Sequence, residues 1–203
     1  MFKKIAIIFS LLFASYSLSA DNTIQVFETL LHEKSTQIKT IVCDFKQVRS
    51  SAIFAQDDVK TGKFTYKRPD SILLAFKDGD YIMMTQTNFS IRNAGVVADV
   101  KVGANPMLKE LKRLLSACMT GDVKSMSASF TINITETEGS YIVKLTPIKG
   151  RGSAKMDSVT MCFDKADMSL SELKLLEPSG DSIAYEFYNK KFNVEVSDET
   201  FVR

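Results

Sequence analysis

The chain has no tryptophan, and only one histidine and four prolines occur among its 203 residues. The single histidine, His32, stands among charged neighbours on a predicted helix, which is typical of a solvated side chain rather than a general base. The sequence has no zinc-ligand spacing, no glycine-rich phosphate loop and no Gly-x-Ser-x-Gly nucleophile motif. We therefore predict a protein that is not an enzyme and that uses no cofactor and no metal.

Paired carboxylates offer the one alternative for catalysis. Asp57 and Asp58 form one pair, and Asp78 and Asp80 form another. Both pairs fall in predicted turns, where a solvated surface position is typical. The two residues of a glycosidase-like pair meet only in space, so a hydrolase with dispersed carboxylates stays open as an alternative.

Cysteine is also scarce, and its spacing is wide. The three cysteines are Cys43, Cys118 and Cys162. An odd number at this spacing excludes a disulfide framework and a zinc motif. We predict three small, buried apolar side chains, with one disulfide-bonded pair as the alternative.

An excess of charge of either sign is missing as well. The formal net charge is +2, and it falls to zero when Lys3 and Lys4 are removed with the leader described next. Phosphate backbones are bound by a surplus of basic side chains. The balance therefore predicts no nucleic-acid partner.

The N-terminus has the pattern of an export signal. A short basic start, Met1–Lys4, precedes an apolar run from Ile5 to Leu18, and small residues up to Ala20 supply a cleavage site. The run is shorter than the roughly 20 residues of a membrane-spanning helix. No cysteine follows it closely, so lipid attachment is not expected. We predict that residues 1–20 are a signal peptide cleaved near residue 19 or 20, and that residues 21–203 form a single domain.

The remaining pattern alternates between helices and strands. Helical spacing predicts a first helix from Thr23 to Lys39, with Asn22 and Gln25 as a capping box. Asn105-Pro106 predicts the start of a second, amphipathic helix that ends at Gly121. About five strands follow each helix. The predicted fold is α+β: a strongly curved, unclosed antiparallel β-barrel of about ten strands with helices to close it.

The stretch from Asp44 to Phe76 carries apolar side chains on a sheet that needs a cover. Alternation places Ile72 and Leu74 on one face of a strand, and the charged corner Lys67-Arg68-Pro69-Asp70 precedes it. Fourteen phenylalanines and nine methionines suit a cavity that adapts to flexible hydrocarbon. The alternative is that these residues fill a barrel core.

Two segments of this stretch resemble the LolA family of periplasmic outer-membrane lipoprotein carriers. They are Phe45-Lys46-Gln47 and Thr61–Pro69, the latter reading Thr-Gly-Lys-Phe-Thr-Tyr-Lys-Arg-Pro. The order of the other elements is similar over almost the whole mature chain. The resemblance implies an unclosed β-barrel with a helical lid over a hydrophobic cavity. It also implies that the protein carries acylated lipoproteins from an inner-membrane ABC transporter complex to an outer-membrane acceptor or membrane.

The resemblance further implies roles for particular residues. Arg68 matches the family's lid arginine, which holds the closed state by hydrogen bonds from the barrel to the lid. Ile72 matches a position at the cavity mouth that is usually aromatic, and Leu74 matches a cavity-lining one. The aliphatic residue at position 72 and the absence of tryptophan depart from the family pattern.

We predict a periplasmic monomer that binds acyl chains, with a carrier or sensor of another lipid or hydrophobic ligand as the alternative. The predicted lid latch is Arg68. The predicted acyl-chain cavity is lined by Phe64, Tyr66, Ile72, Leu74, Phe76, Met83, Phe89, Ile91, Met107, Leu111, Leu114, Leu115, Val143, Leu145, Met161, Phe163, Leu173, Leu175, Tyr185 and Phe187.

Overall fold

An antiparallel sheet of eleven strands makes up most of the fold. We describe it from a computed structural model, in which residues 14–53, 56–86, 88–101, 106–150 and 156–202 are described, without the side chains of 14–21, 100 and 106–111. Within these ranges, the helices are α1 (Ala14–Gln37), α2 (Pro106–Thr120) and two short 3-10 helices, Val123–Ala128 and Asp198–Phe201. The strands are β1 (Thr40–Ser50), β2 (Asp58–Lys67), β3 (Ser71–Phe76), β4 (Tyr81–Met84), β5 (Asn88–Asn93), β6 (Val96–Lys101), β7 (Phe130–Glu136), β8 (Ser140–Pro147), β9 (Ser158–Asp164), β10 (Leu170–Leu176) and β11 (Ser182–Phe192).

The sheet consists of two meanders joined at their ends. Strands β1 to β6 form one meander and β7 to β11 the other, and antiparallel pairing of β1 with β11 connects them. The strand order starts at β6 and ends at β7, so the barrel is not closed. The predicted unclosed antiparallel barrel is confirmed. The strand β6 is an addition to the predicted elements.

Alternation along the strands divides the apolar side chains between the two faces of the sheet. The larger cluster lies between one face, here called the inner face, and the two helices. A smaller cluster lies on the outer face, where Leu73, Tyr81 and Met83 pack with Phe201 of the C-terminal 3-10 helix. The inner face is therefore the surface that the helices cover.

Gly62 allows β1, β2 and β3 to pack closely at the centre of the first meander. Its register partners are Phe45 on β1 and Phe76 on β3. A Cβ at this position would meet the carbonyl oxygen of Ala75 and would lie 2.7 Å from the Phe45 ring. The rings of Phe45 and Phe76 are in edge contact, with centroids 5.1 Å apart. The Gly-x-Phe pattern of this strand thus has a packing reason.

The helix boundaries correct one prediction. Helix α1 already includes Ala14, well before the predicted start at Thr23, so the expected capping box at Asn22 and Gln25 lies inside the helix. The residues before Asn22 are also helical, so the capping pattern at Asn22 does not mark the start of the helix. Helix α2 ends before Gly121, which has a φ of +78°, as predicted. Asn105, its expected N-cap, lies outside the described residues. Within the described ranges, no helix combines the length and the apolar character needed to cross a membrane.

Candidate ligand-binding interior

The inner face brings together most of the residues predicted to line a cavity. Fourteen of them are buried in the inner cluster, and Phe76, Ile91 and Leu175 are partly buried against it. The buried ones are Phe64, Tyr66, Ile72, Leu74, Phe89, Leu114, Leu115, Val143, Leu145, Met161, Phe163, Leu173, Tyr185 and Phe187. The side chains of Met107 and Leu111 lie outside the described part of the chain.

Met83 does not join this group. Its register partner on β3 is Leu73, whereas Ile82 pairs with Leu74. Side chains of directly paired residues lie on the same face of a sheet, so Met83 and Leu73 belong to the outer cluster. The prediction of Met83 as an inner-face residue is therefore corrected: Ile82 and Met84 occupy the inner face of β4.

Around the described residues, the interior is closely packed. Two internal cavities each have a volume of about 10 Å³, which is room for about one water molecule. They share Phe64 and Phe187, whose ring centroids are 5.1 Å apart. The first is lined by Ile41, Cys43, Phe64, Met119, Ser169, Leu170, Phe187 and Lys190, and the second by Phe64, Leu74, Leu115, Leu173, Tyr185 and Phe187. At these two places, side chains must move apart to admit a ligand larger than a water molecule.

Helix α2 covers the centre of the inner face, and polar contacts hold its exposed side. Leu114 and Leu115 are buried beneath it. Lys112 Nζ donates to the carbonyl oxygens of Thr85 at 2.8 Å and of Gln86 at 3.1 Å, in the turn between β4 and β5. Arg113 donates to Ser129 Oγ at 3.1 Å on the other side.

Helix α1 covers the second meander and is fixed at its C-terminal end. Phe27 contacts the rings of Tyr141 and Phe163, with centroids 5.3 and 5.2 Å away. Arg68, in the turn between β2 and β3, donates from Nη2 to the carbonyl oxygen of Ser35 and from Nε to that of Ile38 at 3.2 Å. Carbonyl groups in the last turn of a helix lack intrahelical partners and attract cations. Arg68 therefore connects the sheet to α1.

Asn193, directly after β11, holds the same end of α1. Its Oδ1 accepts from the backbone N–H of Lys39 at 2.7 Å, and its Nδ2 donates to the carbonyl oxygen of Gln37 at 3.1 Å. The residue has a φ of +56°, a conformation that asparagine tolerates better than most residues. The end of α1 is thus bonded to both the β2–β3 turn and the segment after β11.

The two helices also contact each other. Ser35 is buried, and its Oγ donates to the carbonyl oxygen of Thr120 at 2.8 Å. A Cβ on Gly121 would lie 2.9 Å from the Cα of His32. The C-terminal ends of α1 and α2 are therefore in direct contact.

The three thiols are unpaired. Cys43 and Cys118 are buried, as predicted, and Cys162 is half-buried. Burial raises the pKa of the Cys43 and Cys118 thiols to about 12. Cys118 Sγ contacts Met161 Sδ at 3.1 Å. Cys43 and Cys118 therefore behave as apolar packing groups, whereas Cys162 does not have the predicted full burial.

Of the two carboxylate pairs considered for catalysis, Asp57 and Asp58 are exposed, and Asp78 and Asp80 share one lysine. Lys60 Nζ bonds to Asp78 at 2.8 Å and to Asp80 at 2.9 Å. The hydrogen bond from Lys60 lowers the pKa of the Asp78 carboxyl. His32 is exposed on α1. In the described ranges, no cluster of three or more histidine, cysteine, aspartate or glutamate side chains could hold a metal ion.

Sequence reasoning missed Lys190 and Asn193. Along β11, Tyr185 and Phe187 are inner-face residues, and so are Lys190 and Phe192. The inner-face residues of β11 thus change from odd to even numbers. Phe187 and Phe192 are five residues apart, an odd spacing that strict alternation does not allow for two residues on one face. This spacing is the signal in the sequence that could have indicated a bulge and an inward lysine.

The fold and this interior define a class of protein: an unclosed antiparallel barrel whose apolar inner face is covered by two helices. Residues 36–203 match the family described as outer membrane lipoprotein carrier protein LolA. The chain belongs to this family, whose members are periplasmic carrier proteins. The resemblance noted in the sequence is thereby confirmed.

Three solved structures are similar to this chain, and the first of them shows the same fold. An uncharacterized conserved protein from Thermus thermophilus is 6% identical, with a TM-score of 0.53 over 89% of this chain and 93% of that one. A LolA superfamily protein from Nitrosomonas europaea is 10% identical, with a TM-score of 0.42 over 85% and 96% of the two chains. A putative outer membrane lipoprotein-sorting protein domain from Vibrio parahaemolyticus is 8% identical, with a TM-score of 0.48 over 86% and 95%. Comparison with curated protein sequences gave no match.

Proposed function

We propose that the protein is a non-enzymatic periplasmic carrier that binds the acyl chains of lipoproteins and ferries them from the inner to the outer membrane. The observation that carries this proposal is the continuous apolar inner face beneath two helices. Membership of a lipoprotein-carrier family supports the same function. An inner-membrane ABC transporter complex is the proposed donor, and an outer-membrane acceptor or the membrane itself is the proposed recipient.

Export fits this function. Residues 1–20 are the proposed signal peptide, and cleavage near residue 19 or 20 would remove the first part of α1. The inward side chains Phe27 and Leu31 lie beyond this point and are buried. The mature α1 would therefore keep its contacts with the sheet.

The closed interior sets the energetics of loading. Burying a methylene group contributes about 0.8 kcal/mol, so one chain of roughly fifteen methylenes contributes about 12 kcal/mol. Loading also exposes the undersides of the helices, including Leu114 and Leu115, which pack against the sheet when the interior is empty. The net affinity is the difference between these two terms. A carrier needs this difference to be moderate, because the ligand must leave again.

Arg68 is the proposed latch for this equilibrium. Its hydrogen bonds to Ser35 and Ile38 stabilise the closed position of α1, and the ligand must compete with them. The bonds of Lys112 to the β4–β5 turn have the same effect on α2. The closed state is thus held by a few polar contacts at the edges of a large apolar interface.

Mass spectrometry of the protein isolated from its native periplasm tests the function. We expect acylated polypeptides to co-purify with the wild-type protein, and we expect their amount to fall for Leu115→Asp, which places a charge beneath α2. Val97→Asp is the matched control, because Val97 is exposed on β6. Co-purification of free lipid alone would support a carrier of another lipid. Equal amounts of acylated polypeptide with both variants would contradict binding in the interior.

A further inference from the structure

A β-bulge turns one lysine toward the interior. Val42 pairs with Lys191 and Asp44 pairs with Tyr188, so Cys43 lies opposite both Asn189 and Lys190. Asn189 has a φ of +55°. An extra residue in one strand changes the face on which the following side chains lie, and bulges are frequent next to functional sites. As a result Lys190 occupies the inner face, where alternation without a bulge would place Asn189.

Lys190 is an unusual residue for this position. Its side chain is 11% exposed, and it lines the first cavity with apolar residues such as Phe64, Met119 and Phe187. Burying a cation in an apolar wall is costly unless partners compensate for the lost water. Without the bulge, Lys190 would lie on the outer face of the sheet, where its ammonium group would be in water.

The partners of the ammonium group leave it with capacity for a further acceptor. Lys190 Nζ donates to Ser169 Oγ at 2.6 Å, and Asp167 Oδ1 lies 4.0 Å away. Ser169 Oγ in turn donates to Asp167 Oδ1 at 2.6 Å. An ammonium has three N–H groups, and these two oxygens use at most two of them. Ser169 therefore positions the ammonium.

The two small cavities are both largely apolar, and they differ in that the first has a lysine and a serine in its wall. The first contains Lys190 and Ser169, and the second contains Leu74, Leu115 and Leu173. The paired rings of Phe64 and Phe187 border both cavities. Displacement of these rings and of α2 would join the cavities into one path. Such a path matches an amphiphile with one oxygen-containing end and one hydrocarbon end.

We propose that Lys190 binds the oxygen atoms at the head of an acyl ligand, whose hydrocarbon chain passes Phe64 and Phe187 into the second cavity. This inference rests on the proposed function and adds the orientation of the ligand to it. The recognised chemistry is an oxygen acceptor at the start of an acyl chain. A fatty-acid carboxylate and the ester and amide carbonyls of an acylated cysteine are the two sources.

Calorimetric titration of the full-length protein with three probes tests the proposal: dodecanoate, dodecanol and a tripalmitoylated cysteine peptide. For Lys190→Met, we expect dodecanoate binding to weaken at least about 10-fold, which corresponds to about 1.4 kcal/mol, with dodecanol binding unchanged. Lys190→Arg should retain dodecanoate binding. Lys191→Met is the control, because Lys191 is the exposed neighbour on the same strand. If Lys190→Met also weakens binding of the peptide, the site recognises acyl carbonyls as well. If peptide binding is unchanged, the site recognises carboxylates alone.

Dodecanoate binding to Lys190→Met as tight as to wild type would overturn the proposal. So would an equal loss of dodecanoate and dodecanol binding in a variant that still melts cooperatively. If Lys190→Met does not fold, Ser169→Ala provides the same comparison, because it removes the oxygen that positions the ammonium. Failure of the wild-type protein to bind any of the three probes would overturn the carrier function itself.

Discussion

Replacing Arg68 by leucine removes both side-chain hydrogen bonds that connect the β2–β3 turn to the last turn of α1. Arg68 is exposed, so each bond contributes at the lower end of the usual range, and together they stabilise the closed state by about 1 to 2 kcal/mol. The ratio of open to closed protein then rises about 5- to 30-fold. Since the ligand enters only the open form, its apparent affinity rises by up to the same factor.

The assay is the binding of a tripalmitoylated cysteine peptide, followed by its transfer to phospholipid vesicles. Arg68→Leu should load more tightly than the wild type and release more slowly. Arg92→Leu is the matched control, because it makes the same change of charge at an exposed position on β5. Wild-type loading and transfer by Arg68→Leu, with an unchanged melting temperature, would refute the latch role.

Three further substitutions test other contacts of the structure. Gly62→Ala should lower the melting temperature strongly, since its Cβ would lie 2.7 Å from the Phe45 ring, and a chemical denaturation curve equal to that of the wild type would contradict this packing. Lys112→Met should accelerate uptake of the same peptide in stopped-flow experiments, because it frees α2 from the β4–β5 turn; an unchanged rate would show that α2 does not move. Lys60 lowers the pKa of Asp78 from its ordinary value of 3.8, so their pairing stabilises the protein above that pH and is lost as pH falls below it. The acid-induced fall in unfolding free energy should therefore be shallower in Lys60→Met than in the wild type.

Alternation and turn residues predicted most of the sheet. The strands with a clear period of two, such as β2 and β3, place Phe64, Ile72 and Leu74 on the predicted face. The turn at Asp78–Asp80 and the helix end at Gly121 have the local chemistry that their sequences indicate. These features depend on neighbouring residues alone, and neighbouring residues are what a sequence displays.

The errors arose where tertiary pairing decides the outcome. Strand β4 reads Tyr-Ile-Met-Met, four apolar residues in a row, and only its register with β3 assigns Met83 to the outer face. Strand β6 was missed because it is an edge strand with Val96 and Val97 exposed. The inward Lys190 depends on a bulge between β1 and β11, two strands from opposite ends of the domain.

The sequence did not decide between a cavity and a filled core. The number of apolar residues was compatible with both, and around the described residues these side chains pack closely, with two cavities of about 10 Å³ each. Composition does not distinguish a hollow interior from one that opens. In the proposed function, the contacts of Arg68 and Lys112 at the helix edges decide whether the interior opens.

Photo-crosslinking at two adjacent positions tests the central claim most directly. Leu74 lies in the inner cluster, and Leu73 lies in the outer cluster. Photoreactive residues at these two adjacent positions therefore lie on opposite faces of the sheet. In cells labelled with radioactive palmitate, we predict a labelled lipoprotein adduct from position 74 and none from position 73. Equal labelling at both positions, or labelling at position 73 alone, would contradict binding of acyl chains in the interior.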